Sequence, residues 1–144
     1  AEDRIDVIAT DHAPHTLEEK SRKYAKAPAG LPLVQHALVS LMERVEDGTF
    51  SIEHIVRKTS HAPAMLYQVA ERGFLREGYF ADITLIAPNP SSAAEEVLSK
   101  CGWSPFAGYA FKHRIAGTWV NGHQRYDGQQ VIDGPYGQAL AYQR

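Results

Sequence analysis

Ile8-Ala9-Thr10-Asp11-His12-Ala13-Pro14-His15-Thr16 is the densest polar cluster of the chain, and it follows directly on the apolar run Ile5, Val7 and Ile8. An apolar run that ends in polar residues predicts a short buried strand with a chemically equipped tip. The C-terminal tip of a parallel strand is where α/β barrels carry catalytic groups. Aspartate and histidine are metal ligands, and a carboxylate beside a metal also serves as a general base. Taken without context, a capped and solvated turn accounts for one Asp and two His equally well. Pro14 keeps His12 and His15 from stacking on one helical face, and a complete zinc site takes three or four protein ligands. The cluster alone supplies fewer.

Working outward, residues 11–30 combine prolines, Gly30 and the charged stretch Glu18-Glu19-Lys20-Ser21-Arg22-Lys23. This predicts a long exposed loop, and long ordered loops usually carry function. The charged stretch reads as a solvated face or as part of a lid. From Leu31 the apolar residues Val34, Leu38, Leu41, Met42 and Val45 recur at spacings of three and four, with Gly48 at the helix C′ position. Ser51 is a cap for a second helix carrying Ile52, Ile55 and Val56. Ser60 or His61, just ahead of Pro63, opens a third that runs to about Ala70.

The texture changes near residue 75. Residues 81–86 read as a strand, as do Ile115 to Val120. The latter is followed by Asn121-Gly122, the strongest two-residue hairpin signal. Gln124 to Tyr126 returns from that turn, and Asp127-Gly128 marks another before Val131-Ile132. Residues 88–108 mix loop chemistry with one helical turn, and the tail after Gly134 is polar and expected to wrap the surface. His36 and His54 fall in helical stretches as half-buried or surface residues. His61, His113 and His123 lie near turns and receive no role. Trp103, Phe106 and Trp119 fit a sheet core or its edge better than a stacking platform.

Composition narrows the classes. The 144 residues are 44% hydrophobic and 22% charged, with a net charge of −2, and the isoelectric point is about 6.4. That is an ordinary globular balance with one domain, or two small ones at most. No basic stripe points to nucleic acid, and no apolar run approaches the ~20 residues of a membrane span. The single Cys101 excludes a disulfide framework and fits a reducing, cytoplasmic setting. The chain opens AEDRIDVIAT, with no initiator Met and no leader-like region, so the expectation is a piece of a longer polypeptide.

The motif Thr10-Asp11-His12-Ala13-Pro14-His15-Thr16, with Glu18-Glu19-Lys20, resembles the signature of dihydroorotases in the amidohydrolase superfamily, of the type related to hydantoinases and allantoinases. The similarity continues in order along nearly the whole chain. Pro28-Ala29-Gly30 is similar to the family's substrate loop, usually Pro-Pro-Gly, and Ala62-Pro63-Ala64 to a segment usually Asn-Pro-Ala. Gly73 to Ile83 is similar to the glycine-spaced entry into the accessory sheet, and Ser104 to Gly108 and Val120-Asn121-Gly122 to the closing segments. The resemblance implies a metal-bearing (β/α)₈ barrel with a small β-sandwich built from both termini. This chain would supply its last third, with residues 1–72 from the barrel and 73–144 from the sandwich and tail. The family's His-x-His pair, its bridging carboxylated lysine and its later metal histidines have no counterpart here. The isolated chain is therefore expected to be inactive.

Position by position, the resemblance makes Asp11 the metal-ligating, proton-shuttling carboxylate. It gives His15 the substrate's carboxylate to hold, and the main chain of Ala29 and Gly30 the ring. His12 stays structural or behind the site. The implied cofactor is zinc, one or two ions in the full-length protein. The implied reaction interconverts dihydroorotate and N-carbamoyl-aspartate in pyrimidine synthesis, with a homo-oligomer expected from the unpaired edges of the last barrel strand. Alternatives are a hydantoinase- or allantoinase-like cyclic-amide hydrolase, a catalytically silent scaffold subunit, and a free-standing β-rich binding module.

Overall fold

The computed structural model describes residues 3–91 and 96–143. In order, α1 is Leu17–Lys20, α2 is Ala37–Glu46, α3 is Ile52–Val56 and α4 is Ala62–Leu66; β1 is Ile83–Pro88, β2 is His113–Val120 and β3 is His123–Tyr126. The strands form one antiparallel sheet in the order β1-β2-β3. Ile83 lies opposite Trp119 and Leu85 opposite Gly117, and the register then slips so that Ile86 meets Ile115. A second slip interrupts β2 and β3 between Thr118 and Trp119. Both are bulges, which bend a strand and sharpen its twist.

The β2–β3 turn forms where the sequence predicts it. Asn121 and Gly122 both take positive φ, 51° and 79°, the pair of left-handed residues that a type I′ hairpin requires. The strand read at 81–86 starts two residues later, and the one read at 115–120 extends back to His113. After β3 the Asp127 carboxylate accepts the Gln129 and Gln130 N–H groups, both at 2.9 Å. The chain then returns as a bridge, Tyr126 opposite Val131, rather than as a strand. The helical turn read within 88–108 is absent among the described residues; 92–95 lie outside them. The tail does wrap the surface, with the Ala70 N–H donating to the Ala141 carbonyl and the Gln143 N–H to that of Gln68, both at 2.8 Å.

The helices depart from expectation at their starts. A single 3₁₀ turn, Val34–His36, precedes α2, so the helix begins six residues after Leu31, which instead bridges to His12. Ser51 caps α3 as predicted, its hydroxyl accepting the His54 N–H at 3.2 Å. The third helix is not separate. α3 continues through a π turn, Arg57–His61, straight into α4, and the Ala62 N–H bonds to the Arg57 carbonyl five residues back. Pro63 lacks an N–H and would clash with a carbonyl one α-turn earlier; the wider turn accommodates it.

The core is small. Val39, Met42, Ile55, Ala64 and Phe111 are its buried apolar members. His36 belongs to it as well: only 3% exposed, it stacks on Phe111 at 5.6 Å, and its Nδ1 lies 3.1 Å from the Ser104 hydroxyl. The half-buried or surface reading of His36 is thereby corrected. Buried Glu43 accepts the Lys112 N–H at 2.8 Å and the Tyr109 hydroxyl at 3.2 Å. These contacts offset the cost of a desolvated carboxylate, and they push the Tyr109 hydroxyl's pKa above its ordinary value. Helices and sheet are tied by Arg72, which pairs with Asp82, donates to Asn121 Oδ1 at 2.7 Å and covers the Phe80 ring.

The apolar run at residues 5–8 forms no strand among the described residues, and Ile5 is 68% exposed. A strand exists through lateral pairing. Among the described residues the segment's backbone pairing is a single bond, from the Ile8 N–H to the Lys58 carbonyl at 3.1 Å. Buried Lys58 secures the rest, donating to the Ile5 carbonyl and pairing with Asp3 at 2.7 Å. That contact holds the Asp3 carboxyl below its usual range.

Candidate functional site

Asp11 ends the N-terminal segment in the left-handed region, φ 46°. Aspartate tolerates this conformation better than most residues, and backbone of this kind clusters at functional sites. The side chain is exposed, and no hydrogen bond or ion pair engages its carboxylate among the described residues. The next residues turn against the segment 28–31. His12 and Leu31 form a parallel bridge, the Ala13 N–H donates to the Leu31 carbonyl at 2.9 Å, and His12 Nδ1 accepts the Val34 N–H at 3.2 Å. His12 thereby ties this segment to the turn that precedes α2.

Gly30 makes this approach possible. A Cβ placed on it would lie 2.5 Å from the Ala13 Cβ, and its φ is +87°. Gly30→Ala in the intact protein is expected to lower stability by about 1–3 kcal/mol more than Gly48→Ala. Gly48 shares the positive φ, at +76°, but has nothing within 4 Å. Thermal unfolding of both variants makes the comparison, and equal losses would show that the 13–30 contact carries no energy.

His15 is pinned on two sides. Its carbonyl accepts Trp103 Nε1–H at 2.7 Å, and its ring Nδ1 stands 3.7 Å from Glu19 Oε2. Thr16 and Glu19 form a reciprocal capping box at the start of α1. The Thr16 N–H, donated at 2.8 Å, is the main reason the Glu19 carboxyl sits below its ordinary pKa. At the far end of α1, Lys20 Nζ donates to the Pro28 carbonyl at 2.8 Å and to the Gly30 carbonyl at 3.0 Å. The Ala29 N–H and C=O and the Gly30 N–H have no partner among the described residues.

Asp11, His15, Ala29 and Gly30 thus lie on two segments bridged to one another. Sequence reasoning missed two supports of this arrangement. Lys20 sits in a run read as solvated or lid-like, yet it is half-buried and clamped. Trp103, assigned to a sheet core or edge, reaches a carbonyl 88 residues away. Both contacts are to main chain, which leaves no trace in side-chain pattern. His54, His61 and His123 stack on Phe50, Phe74 and Tyr136, and His113 lies 3.7 Å from Glu46. Among the described residues no group of three or more His, Cys, Asp or Glu is placed to hold a metal ion. A zinc site takes three or four ligands, so these residues do not make one up; Asp11 is one ligand at most.

Residues 1–125 match the amidohydrolase family. The chain belongs to that family. It is 36% identical over 133 residues to the dihydroorotase of Halobacterium salinarum, covering 91% of this chain and 31% of that protein. It is 40% identical over 126 residues to the dihydroorotase of Endomicrobium trichonymphae, covering 85% and 30%. Among solved structures, the L-hydantoinase of Arthrobacter aurescens superimposes with a TM-score of 0.84 at 24% identity, over 94% of this chain and 32% of that one. The D-hydantoinase of a Thermus species gives 0.77 at 21%, over 90% and 30%. These likenesses show a shared fold. This amidohydrolase chain spans about a third of the length of the relatives it matches. No helix among its described residues is long and apolar enough to cross a membrane.

Proposed function

We propose that this chain is the part of a dihydroorotase-type cyclic amidohydrolase that carries the proton-transferring carboxylate and one wall of the substrate pocket. The observation that carries the reading is Asp11: an exposed carboxylate on left-handed backbone, near the main chain of Ala29 and Gly30, with no partner for the carboxylate or for those main-chain N–H groups among the described residues. In this reading residues 1–72 belong to a (β/α)₈ barrel and 73–144 to an accessory sandwich. The full-length protein would be cytoplasmic and homo-oligomeric. Zinc would be held mainly by residues outside this chain, with Asp11 as one ligand.

The chemistry assigned to Asp11 follows from its freedom. It accepts a proton as water adds to the ring amide carbonyl of dihydroorotate. It returns that proton to the ring nitrogen as the C–N bond breaks, giving N-carbamoyl-aspartate. One carboxylate so serves as base and then as acid. His15 donates to the substrate's carboxylate, and the Ala29 and Gly30 amides hold the ring.

The solved neighbours favour comparison with a second reading, a hydantoinase-like activity on neutral rings. His15 separates the two. In the full-length protein His15→Ala is expected to raise KM for dihydroorotate with a smaller fall in kcat, since the carboxylate is remote from the scissile amide. One charge-assisted hydrogen bond is worth about 1.5–3 kcal/mol, or roughly ten- to a hundredfold in kcat/KM. A neutral ring lacking the carboxylate is expected to be insensitive to the substitution. Equal losses on acidic and neutral substrates would refute the carboxylate-binding role.

A further inference from the structure

Helix α1 joins the two substrate-facing segments. Its N-terminal end is fixed beside His15 by the Thr16–Glu19 capping box. Its last residue, Lys20, reaches back to the Pro28 and Gly30 carbonyls, eight and ten residues ahead in sequence. The intervening stretch, 21–27, offers little packing of its own: Tyr24 is 99% exposed, and residues 21–26 are all exposed. An ammonium is well suited to hold two converging carbonyls, because it has three donors, no acceptor and a compact charge. It takes the Pro28 and Gly30 oxygens and leaves the Ala29 N–H, the Ala29 C=O and the Gly30 N–H without partners among the described residues.

We propose that Lys20 is a positioning residue for the substrate site: it locks the main chain of Ala29 and Gly30 in register with His15, so that ring and carboxylate are met at one fixed spacing. The inference rests on the reading of His15, Ala29 and Gly30 given above, and it goes beyond that reading in assigning the spacing to a side chain that touches no substrate. The ligand it serves is therefore a ring that carries an anionic substituent, since a ring without one needs only the 29–30 segment.

Lys20→Met, which keeps the apolar stem and removes the donors, tests this in the full-length protein. A misplacement of about 1 Å costs on the order of a hundredfold in rate. Lys20→Met is therefore expected to lower kcat/KM for dihydroorotate by about ten- to a hundredfold. Amide hydrogen exchange at Ala13 and Val34, whose N–H groups donate to the Leu31 carbonyl and to His12 Nδ1, is expected to quicken at least tenfold, while exchange in α2 and the sheet stays as in wild type. Lys20→Arg retains donors to both carbonyls and is expected to recover most of both effects, which a general loss of folding would not allow. Unchanged exchange at Ala13 and Val34 in Lys20→Met overturns the clamp, whatever the kinetics. Faster exchange with undiminished kcat/KM overturns its role in positioning. A wild-type protein inert towards dihydroorotate would instead remove the substrate reading, and the exchange comparison alone would then decide the clamp.

Discussion

Asp11→Asn in the full-length protein is expected to leave folding intact and to lower turnover of dihydroorotate by about 10²–10⁴-fold. Asparagine has the same shape and keeps the tolerance for left-handed backbone that Asp11 needs at φ 46°. The carboxylate contributes no hydrogen bond to the fold among the described residues, so its loss removes no structural contact. What disappears is the capacity to take a proton and give it back. The amide is also a poorer metal ligand, so both losses act in the same direction. The fall should appear in kcat as well as kcat/KM, because proton transfer belongs to the transition state rather than to ground-state binding. An unchanged unfolding midpoint together with the kinetic loss supports the assignment. Retention of more than about a tenth of the wild-type rate would remove it.

The second large effect concerns the 144-residue chain by itself. It is expected to show no measurable turnover of dihydroorotate and only weak binding of zinc. Structural zinc in small domains is held with about 10–16 kcal/mol when a full ligand set closes around it. A lone carboxylate such as Asp11, facing solvent, cannot approach that against water. Equilibrium dialysis with zinc and an assay of the purified chain with and without chelator measure both quantities. Chelator-sensitive hydrolysis, or one zinc bound tightly per chain, would contradict the expectation and would require a ligand group that the described residues do not form.

Local signals in the sequence were read correctly wherever a single residue type has a narrow conformational use. Asn121-Gly122 makes its hairpin because few other pairs accept two positive φ values, and Ser51 caps α3 because its hydroxyl meets an unpaired helix N–H. The cluster around Asp11 stands out in the sequence as a density of polar groups after an apolar run, although that run forms no strand among the described residues. Features that depend on a distant partner were not legible. Residues 5–8 have a strand's composition but only one lateral backbone bond among the described residues, so composition alone misleads. Pro63 looked like a helix start, since proline favours the first turn, and only the π turn lets it sit inside a continuous run. Lys20 and Trp103 act through main-chain carbonyls, and neither spacing nor hydropathy distinguishes them from solvated or core residues.

That π turn also sets rotational phase. Nine residues separate Ile55 from Ala64, and both point into the core. At about 100° per residue, an uninterrupted α-helix would place them some 180° apart, on opposite faces. Five residues wound at the slacker π pitch take up roughly 90° of that difference, which brings Ala64 round towards the side that Ile55 occupies. Shortening Arg57–His61 by one residue would restore the tighter winding and turn α4 with its attached tail strap as a body. The strap's bonds at Gln68 and Ala70 would turn with it, away from the sheet that the Arg72–Asp82 pair joins to the helices. The wide turn is thus a phase corrector, allowing one helical run to serve two packing directions within a single continuous backbone.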